Sequence, residues 1–257
     1  MTTPELPNGA PTWVDIGTTD IPGAVAFYTS LFGWTHLDFG PDAGGYGAFL
    51  KDGRQAAGIG PAADPERGTS WATYLATDDA TATAAAAEAA GAKVIMAPMQ
   101  VMDQGTMAVL VDPTGAYVSI WQPGKHRGAE VTGEHGSFTW AELVTSDIAA
   151  SKAFYASVFG VTTRDVAMGG NDTYTLIEAG GQPVAGAMQI RPEWGPMPSQ
   201  WSVYFAVDDC DTTADLAISL GATETLRQDS PAGRFATLTD PQGGAFSIIK
   251  NDPNFTM

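Results

Sequence analysis

The sequence is poor in cysteine, in basic residues and in long apolar runs, and each shortage excludes a class of protein. A single cysteine, Cys210, among 257 residues leaves no disulfide framework within the chain, which is typical of a reducing compartment and favours the cytoplasm. No stretch approaches the roughly 20 consecutive apolar residues of a membrane-spanning helix. The first residues, "MTTPELPNGAPT", lack the basic region and apolar run of a signal peptide.

The charge balance excludes partners with anionic surfaces. Only 12 Lys and Arg stand against 29 Asp and Glu, for a formal net charge of −17. Such a surface repels nucleic-acid phosphates and anionic lipid headgroups, so we expect neither nucleic acid nor membrane as a partner. The sequence also has no Walker pattern and no G-x-S-x-G motif. The length fits two domains of ordinary size.

One motif occurs twice, as "AFYTSLFGW" from Ala26 and as "AFYASVFGV" from Ala153. It belongs to a longer repeat with four copies. Each copy has a Trp, an Asp seven residues later and a Gly thirteen residues after that Asp. The four sets are Trp13, Asp20 and Gly33; Trp71, Asp78 and Gly91; Trp140, Asp147 and Gly160; and Trp201, Asp208 and Gly221. A period of about 60 residues indicates repeated supersecondary units.

Each repeat predicts a strand, a helix and three further strands. The residues from each Trp mix β-branched, aromatic and apolar types, as a strand does. The Asp then caps a helix that ends at the Gly. In the second and fourth repeats the Asp is doubled, as Asp78–Asp79 and Asp208–Asp209, and either member could be the cap. The turns "DPTG" at Asp112 and "DPQG" at Asp240 join later strands, and we assign these two acids no chemistry.

Paired repeats predict two α+β domains. Repeats one and two occupy residues 12–122, and repeats three and four occupy residues 137–250. Between them, residues 123–136 contain the polar, glycine-rich "PGKHRGAEVTGEHG", which predicts a linker.

The repeat resembles the vicinal oxygen chelate superfamily, which includes glyoxalase I, extradiol dioxygenases, fosfomycin-resistance enzymes and bleomycin-binding proteins. The resemblance rests on the paired β-α-β-β-β order, on "FYTSLFGW" at the end of the first helix and on "DPTGAYVSIW" as the last hairpin. More narrowly, the chain is similar to tandem-domain actinobacterial proteins of the hydroxylase-like or glyoxalase-like type, some of them accessory proteins of antibiotic pathways. The resemblance implies that each domain is a curved mixed sheet around a cup, which holds the site.

The resemblance also implies where a metal would bind, because His, Gln or Glu from four strands bind one divalent ion in metal-dependent members. The positions that match are Trp13, Ala72 and Ser119 in the first domain and Trp140, Ser202 and Ser247 in the second. The fourth position of each set lies in "QAAGIG" or "QPVAGAM", which contain neither His nor Glu. None of these residues is a usual ligand of zinc or iron. We therefore predict no bound metal and no other cofactor.

The residues expected on the inner face of each cup are the candidate site. Side chains alternate along a strand, so Trp13 shares a face with Asp15, and Trp140 shares one with Glu142. We predict Asp15 and Glu142 as the catalytic or function-bearing acids. The predicted ligand-binding residues are Trp13, Tyr74, Tyr117, Trp121, Trp140, Tyr204 and Ser247. Tyr74 and Tyr204 face inward only if the second Asp of each pair is the cap, because a slip of one residue reverses every face.

Each candidate also has a structural interpretation. The Trp of the repeat favours packing, and we expect Trp71 and Trp201 to face away from the cup. A mid-strand carboxylate is costly on an inner face unless it is hydrogen-bonded, solvated or functional. For Asp15 and Glu142 the structural alternative is a hydrogen bond to a neighbouring Trp N–H or backbone amide. Cys210 has no counterpart in the first half, which favours a bystander.

Two functions fit these features. The first is a metal-free small-molecule-binding or accessory protein, in antibiotic or secondary metabolism or in sequestration, with an aromatic, carboxylate-bearing cup for a planar, apolar or cationic ligand. The second is a glyoxalase-like or hydroxylase-like enzyme, a lyase, isomerase or hydroxylation partner, with Asp15 or Glu142 as general base. Four repeats in one chain already supply the pairings that single-domain relatives obtain by dimerising, so a monomer and a homodimer both stay open.

Overall fold

The structure, a computed structural model, describes residues 6–169 and 172–255. Every repeat contains the predicted strand, helix and three strands. The first half consists of β1 (Pro11–Thr18), α1 (Ile21–Phe32), β2 (Thr35–Asp38), β3 (Gly47–Lys51), β4 (Arg54–Pro61), β5 (Ser70–Ala76), α2 (Ala80–Ala89), β6 (Lys93–Val101), β7 (Gly105–Val111) and β8 (Tyr117–Pro123). The second half consists of β9 (Ser137–Thr145), α3 (Ile148–Phe159), β10 (Thr162–Gly169), β11 (Asp172–Ala179), β12 (Gln182–Gln189), β13 (Gln200–Ala206), α4 (Cys210–Ser219), β14 (Thr223–Ser230), β15 (Gly233–Thr239) and β16 (Ala245–Asn251).

The strands form two eight-stranded mixed sheets, one from each half of the chain. Their strand orders are β2-β3-β4-β1-β5-β8-β7-β6 and β10-β11-β12-β9-β13-β16-β15-β14. In each repeat the first strand pairs in parallel with the last strand, and the remaining pairs are antiparallel. The predicted α+β class and tandem organisation are confirmed. Among the described residues, no helix is long and apolar enough to cross a membrane.

Aspartate caps begin the helices and fix the strand register. Asp20 accepts a hydrogen bond from the backbone N–H of Gly23 at 3.0 Å, and Gly33 ends α1 with a left-handed φ of 68°. Where the Asp is doubled, the second member is the cap, because Asp79 and Asp209 accept from the third residue of α2 and of α4. With the second Asp as the cap, the sequence predicts that Tyr74 and Tyr204 face inward.

By contact density the chain divides into two compact units that cut across the sheets. The 1–4 unit contains Trp13–Ala72, Ala129–Thr139 and the segment from Ser202, which belong mainly to repeats one and four. The 2–3 unit contains Thr73–Gly128, Trp140–Trp201 and the segment up to Thr12. Helix α1 packs against α4 in the first unit, and α2 packs against α3 in the second. Each unit therefore has its own helix pair and its own core.

Part of the predicted linker is held against repeat one within the 1–4 unit. The Trp34 indole N–H donates to the Gly136 carbonyl at 2.7 Å. The Arg54 guanidinium makes two hydrogen bonds to the Glu134 carboxylate, at 3.0 and 2.8 Å, and Val131 is buried. Side-chain contacts therefore anchor the C-terminal part of the predicted linker.

Candidate functional site

The indole N–H of each repeat Trp donates to a tyrosine hydroxyl. The distances are 3.1 Å from Trp13 to Tyr46, 2.9 Å from Trp71 to Tyr28, 2.9 Å from Trp140 to Tyr174 and 2.8 Å from Trp201 to Tyr155. Tyr28 lies on α1 and Tyr155 on α3, so Trp71 and Trp201 face helices, as predicted. Trp13 bonds instead to Tyr46, just before β3, and Trp140 to Tyr174 of β11, on the sheet face opposite to the helices.

The first sheet-facing cluster consists of Trp13, Tyr46 and Asp15. The Tyr46 hydroxyl accepts from Trp13 and donates to Asp15 Oδ2 at 3.0 Å. Trp13 and Asp15 are buried, and Tyr46 is half-buried. Burial, followed by the negative charge of Asp15, raises the pKa of Tyr46 well above its ordinary value. The phenol therefore stays protonated at neutral pH and donates to the acid.

The glycine-rich strand β4 makes room for Tyr46. Asp15 pairs with Gly58 in the register of β1 and β4. A Cβ on Gly58 would overlap the Tyr46 hydroxyl, and a Cβ on Gly60 would lie 2.8 Å from Tyr46 Cδ2. Both positions must therefore be glycine for the ring to lie flat on the strand. "QAAGIG", which lacks the expected metal ligand, instead forms the floor beneath a tyrosine.

The second half repeats this arrangement with Trp140, Tyr174 and Glu142. Glu142 pairs with Gly186 in the register of β9 and β12, as Asp15 pairs with Gly58. A Cβ on Gly186 would overlap the Tyr174 hydroxyl. Trp140 and Glu142 are each half-buried, and so are more exposed than Trp13 and Asp15. Each sheet thus carries a hydrogen-bonded Trp–Tyr pair, and the strand that holds the Trp has an acid two residues later at the same register position.

The other predicted ligand-binding residues lie on the first and last strands of repeats two and four. In the 2–3 unit the ring of Tyr74 lies 6.5 Å from that of Trp121, edge to face, and Tyr74 pairs with Ser119. Trp121 also donates its indole N–H to the His126 carbonyl at 2.9 Å. Tyr117 begins the same strand, two residues before Ser119, and is half-buried.

In the 1–4 unit, Tyr204 and Ser247 face the same side of repeat four. They are paired in the parallel register of β13 and β16. The ring of Tyr204 lies 6.2 Å from that of Phe235, and the hydroxyls of Ser247 and Thr237 lie 3.1 Å apart. The structure thus brings together Trp13 and Asp15, Tyr74 and Trp121, and Tyr204 and Ser247. Trp140 bonds to Tyr174, whose hydroxyl lies over Gly186, the strand partner of Glu142.

The residues at the family's metal positions do not fit a divalent ion. Trp13 and Trp140 carry indole N–H groups that already donate to tyrosines. An alanine or serine at the remaining positions supplies no imidazole, thiolate or carboxylate, which zinc and iron require. Across the part of the chain that the structure describes, no three His, Cys, Asp or Glu side chains are grouped to hold a metal.

Sequence reasoning did not predict the contacts that the turn acids Asp240 and Asp112 make with helix tyrosines. Asp240 is buried and accepts a hydrogen bond from the Tyr28 hydroxyl at 2.7 Å. Asp112 is buried and accepts from the Tyr155 hydroxyl at 3.0 Å. The available signal was the tyrosine that both copies of "AFY" place within an apolar helix face. These acids therefore belong to the cores, where they fix helix tyrosines.

Tyr46 and Tyr174 were missed as well. The two tyrosines stand at equivalent places in repeats one and three, just before or within a middle strand. Their similar spacing from the repeat Trp, 33 residues for Tyr46 and 34 for Tyr174, was the signal that could have found them. Burial raises the pKa of the Cys210 thiol to about 11, so little reactive thiolate exists at neutral pH.

Comparison with known proteins places both halves in one family. The Glyoxalase/Bleomycin resistance protein/Dioxygenase superfamily model matches residues 11–120, and the Glyoxalase-like domain model matches residues 139–249. The chain is 41% identical to the anthracycline biosynthesis protein DnrV of Streptomyces peucetius, over 94% of this chain and 93% of that protein.

Two further similarities agree with this assignment. The chain is 39% identical to CFP32 of Mycobacterium bovis, whose name classes it provisionally as a glyoxylase, over 97% of both chains. The Mn(II)-bound glyoxalase from Novosphingobium aromaticivorans shares the fold with a TM-score of 0.65 at 18% identity, over 98% of this chain and 86% of that one. The resemblance inferred from the repeat is confirmed.

Proposed function

We propose that the chain, which belongs to the glyoxalase/bleomycin resistance protein/dioxygenase superfamily, binds a planar small molecule without a metal ion. The observation that carries this proposal is the Trp–Tyr–acid cluster at the register position where metal-dependent members hold a ligand. Asp15 in β1 and Glu142 in β9 occupy the same place, opposite Gly58 and Gly186. A carboxylate fixed beside an indole and a phenol binds a donor or cation rather than a metal.

The ligand is a polycyclic aromatic compound that carries a cationic group. Tyr204 and Phe235 in the 1–4 unit and Tyr117 in the 2–3 unit are half-buried aromatic residues that would offer ring surface for stacking. Asp15 and Glu142 offer the charge that would bind an ammonium group. DnrV is named for anthracycline biosynthesis, and anthracyclines join a planar ring system to an amino sugar. This similarity supports an accessory role in the biosynthesis or sequestration of such compounds.

The test is a titration with doxorubicin in the presence of a chelator. Binding is monitored by the quenching of the protein's tryptophan fluorescence. Doxorubicinone, which lacks the amino sugar, is the matched neutral probe. We expect doxorubicin to bind more tightly, and D15N or E142Q to weaken it by roughly 10- to 150-fold, the value of a hydrogen bond to a charged group. Equal affinities for both probes, or for wild type and both variants, would contradict the proposal.

Catalysis by the same acids is the second candidate function. The observation that favours it is the protonated Tyr46 hydroxyl 3.0 Å from Asp15 Oδ2, a proton donor beside a carboxylate. The similarity to CFP32 points the same way. In an assay with the hemithioacetal of methylglyoxal and glutathione, an enzyme of this kind would turn over with chelator present, and D15N with E142Q would slow it by ~10²- to 10⁴-fold. No turnover above buffer leaves binding as the function.

A further inference from the structure

The sheet face of repeat two that lies opposite to α2 is apolar and partly exposed. Ser119 pairs with both Tyr74 and Val109, and paired residues point to the same side of a sheet. The same register gives six accessible members of this methionine face, which are Met96, Met99, Met107, Val109, Val111 and Tyr117. Ala108 and Leu110 point to the other side of β7, where α2 packs, and are fully buried.

Methionine is concentrated on this face. The chain has 9 methionines, and four of them lie between residues 96 and 107. Three of these four belong to the methionine face, and Met99 is 48% exposed. Methionine side chains are flexible and polarisable, and their sulfur makes favourable contacts with aromatic rings. An exposed group of methionines can therefore adapt to an aromatic ligand.

Repeat four has polar residues at half of the matching positions. The equivalent strand pairs of β14, β15 and β16 identify Gln228, Thr237 and Thr239 where repeat two has Met99, Val109 and Val111. The remaining three positions of repeat four are apolar, with Leu226, Phe235 and Ala245. Packing that both repeats share does not require the wholly apolar version. The accessible face of repeat two therefore favours a ligand surface without polar groups.

The edge strand β6 is poorly suited to pairing with another protein chain. Two register shifts interrupt its pairing with β7, between Val94 and Met96 and between Met96 and Met99. Pro98, in the same strand, has no backbone N–H to donate. Bulges and proline protect an edge strand from strand addition, and a net charge of −17 opposes association with a second copy. These features favour a small molecule as the occupant of the methionine face.

We infer that the methionine face binds the uncharged aromatic rings of the ligand, an inference that rests on the proposed function. With strands ~4.8 Å apart and every second residue ~6.7 Å along a strand, the face is a platform of roughly 10 by 13 Å. Fused rings can lie flat on such a surface. Lys93, opposite Val111, is the one charged residue that the register puts on this side of the described strands β6 to β8. Its ammonium repels another ammonium, so the rings and not the amino sugar lie here.

The experiment follows the methionine methyl groups of the full chain by NMR, with doxorubicinone as the uncharged ring probe. A methyl group over the face of an aromatic ring shifts upfield, so we expect the signals of Met96, Met99 and Met107 to move. M99Q should weaken doxorubicinone by about 5-fold or more, because an amide replaces a thioether against the ring. M99L should stay within about 3-fold of wild type, because its side chain is apolar. M102Q is the matched control, since Met102 lies in the turn after β6 and is 62% exposed.

Three outcomes would overturn the inference. The three methyl signals could stay unmoved up to the solubility limit of doxorubicinone. M99Q could bind the probe as well as M102Q does. The signals could change with protein concentration alone, and a dimer in sedimentation would then show that a second copy covers the face.

The inference and the proposed function can fail separately. The methyl shifts with doxorubicinone test the ring site, whereas the doxorubicin affinities of D15N and E142Q test the acids. Weaker doxorubicin binding by these variants without any methyl shift supports the proposed function and overturns the ring site. Methyl shifts with unchanged doxorubicin affinity give the opposite result.

Discussion

The Trp71 and Trp13 clusters use the same three kinds of residue in the same compact unit but in different surroundings. In the first, Trp71 donates to Tyr28, which donates to Asp240, and all three side chains are buried. In the second, Trp13 donates to Tyr46, which donates to Asp15, and the tyrosine is half-buried on the sheet face opposite to the helices. The repeated Trp is therefore a shared hydrogen-bond donor, whereas the two acids lie in different surroundings.

The two acids differ in their place in the chain. Asp240 begins a turn, and its Oδ1 accepts from the backbone N–H groups of Gln242 at 2.9 Å and Gly244 at 2.7 Å. Its Oδ2 accepts from Tyr28, so both oxygens serve the core. Asp15 stands in mid-strand, away from any turn. We therefore expect the Asp240 chain to carry stability and the Asp15 chain to carry ligand affinity.

The largest effect should come from Asp240→Ala. The substitution leaves the Tyr28 hydroxyl and two backbone N–H groups without their acceptor, and each such loss costs about 1–3 kcal/mol. We expect the free energy of unfolding to fall by about 3 kcal/mol or more, measured by urea denaturation. Asp208→Ala is the control, because the Asp208 side chain is 87% exposed and should change stability by no more than ~0.5 kcal/mol. Equal losses in both variants would show that the buried hydrogen bonds of Asp240 do not stabilise the core.

Gly58→Ala should have the next largest effect. The new methyl group would overlap the Tyr46 hydroxyl and approach Asp15 Cβ to 2.7 Å, so the tyrosine must move. Overpacking of this kind costs about 1–3 kcal/mol, and doxorubicin affinity should fall with it. The control is Gly17→Ala, on the same sheet face as Asp15. A Cβ at Gly17 would lie 3.4 Å from its nearest neighbour, Ala62 Cα, so this substitution should be tolerated. If thermal denaturation gives both variants the same Tm, Gly58 does not hold the ring in place.

High pH should reveal the buried tyrosines. Burial raises the pKa of Tyr28, Tyr46 and Tyr155 well above the ordinary value. Below about pH 10 both the folded and the unfolded chain keep these protons, and the tyrosines' contribution to stability is fully present. Above that pH the unfolded chain ionises first, so each tyrosine lowers the free energy of unfolding by up to ~1.4 kcal/mol per pH unit.

Tyrosinate absorbance of the native protein provides the check. The chain has 7 tyrosines, and those with raised pKa values should remain protonated while ordinary ones titrate. Y46F removes one of these ionisable groups. The alkaline fall in the free energy of unfolding should therefore be smaller by up to ~1.4 kcal/mol per pH unit. A single native transition for all tyrosines near pH 10 would show that the clusters do not hold their protons.

Local patterns predicted the repeats but not the contacts between them. The Trp, Asp and Gly spacing is sufficient for a strand, a capped helix and a left-handed stop, and Asp20 and Gly33 adopt those roles. The bond between Tyr28 and Asp240 joins residues 212 positions apart. The sequence around either residue does not indicate which repeats pack together. "DPQG" could therefore be identified as a turn, while the second oxygen of its Asp could not be assigned.

The sequence also left the purpose of two glycine-rich strands open. "QAAGIG" and "QPVAGAM" contain neither His nor Glu, and the sequence alone assigned their glycines no role. The reason for the glycines is that Gly58 and Gly186 lie beneath tyrosine hydroxyls from another strand or loop. Only the pairing of β1 with β4 and of β9 with β12 brings glycine, tyrosine and acid together.

Chelation should have no effect. At the family's metal positions, Trp13 and Trp140 donate to tyrosines, and the other side chains are those of alanine and serine. Treatment with EDTA should therefore leave Tm and doxorubicin affinity unchanged. Elemental analysis of the purified protein is the complementary measurement. About one equivalent of zinc, iron, nickel or manganese per domain, with a lower Tm after EDTA, would revive a metal-dependent lyase.

The most direct test of the central claim compares two double variants in one experiment. D15N/E142Q and D112N/D240N are each measured for unfolding free energy and for doxorubicin affinity. We predict that D15N/E142Q keeps stability within about 1 kcal/mol of wild type and loses roughly 10-fold or more in affinity, the value of a charged hydrogen bond. D112N/D240N should lose stability and keep its affinity while folded. If D15N/E142Q instead unfolds far more easily and its folded form binds like wild type, the sheet-facing acids are structural and the account is wrong.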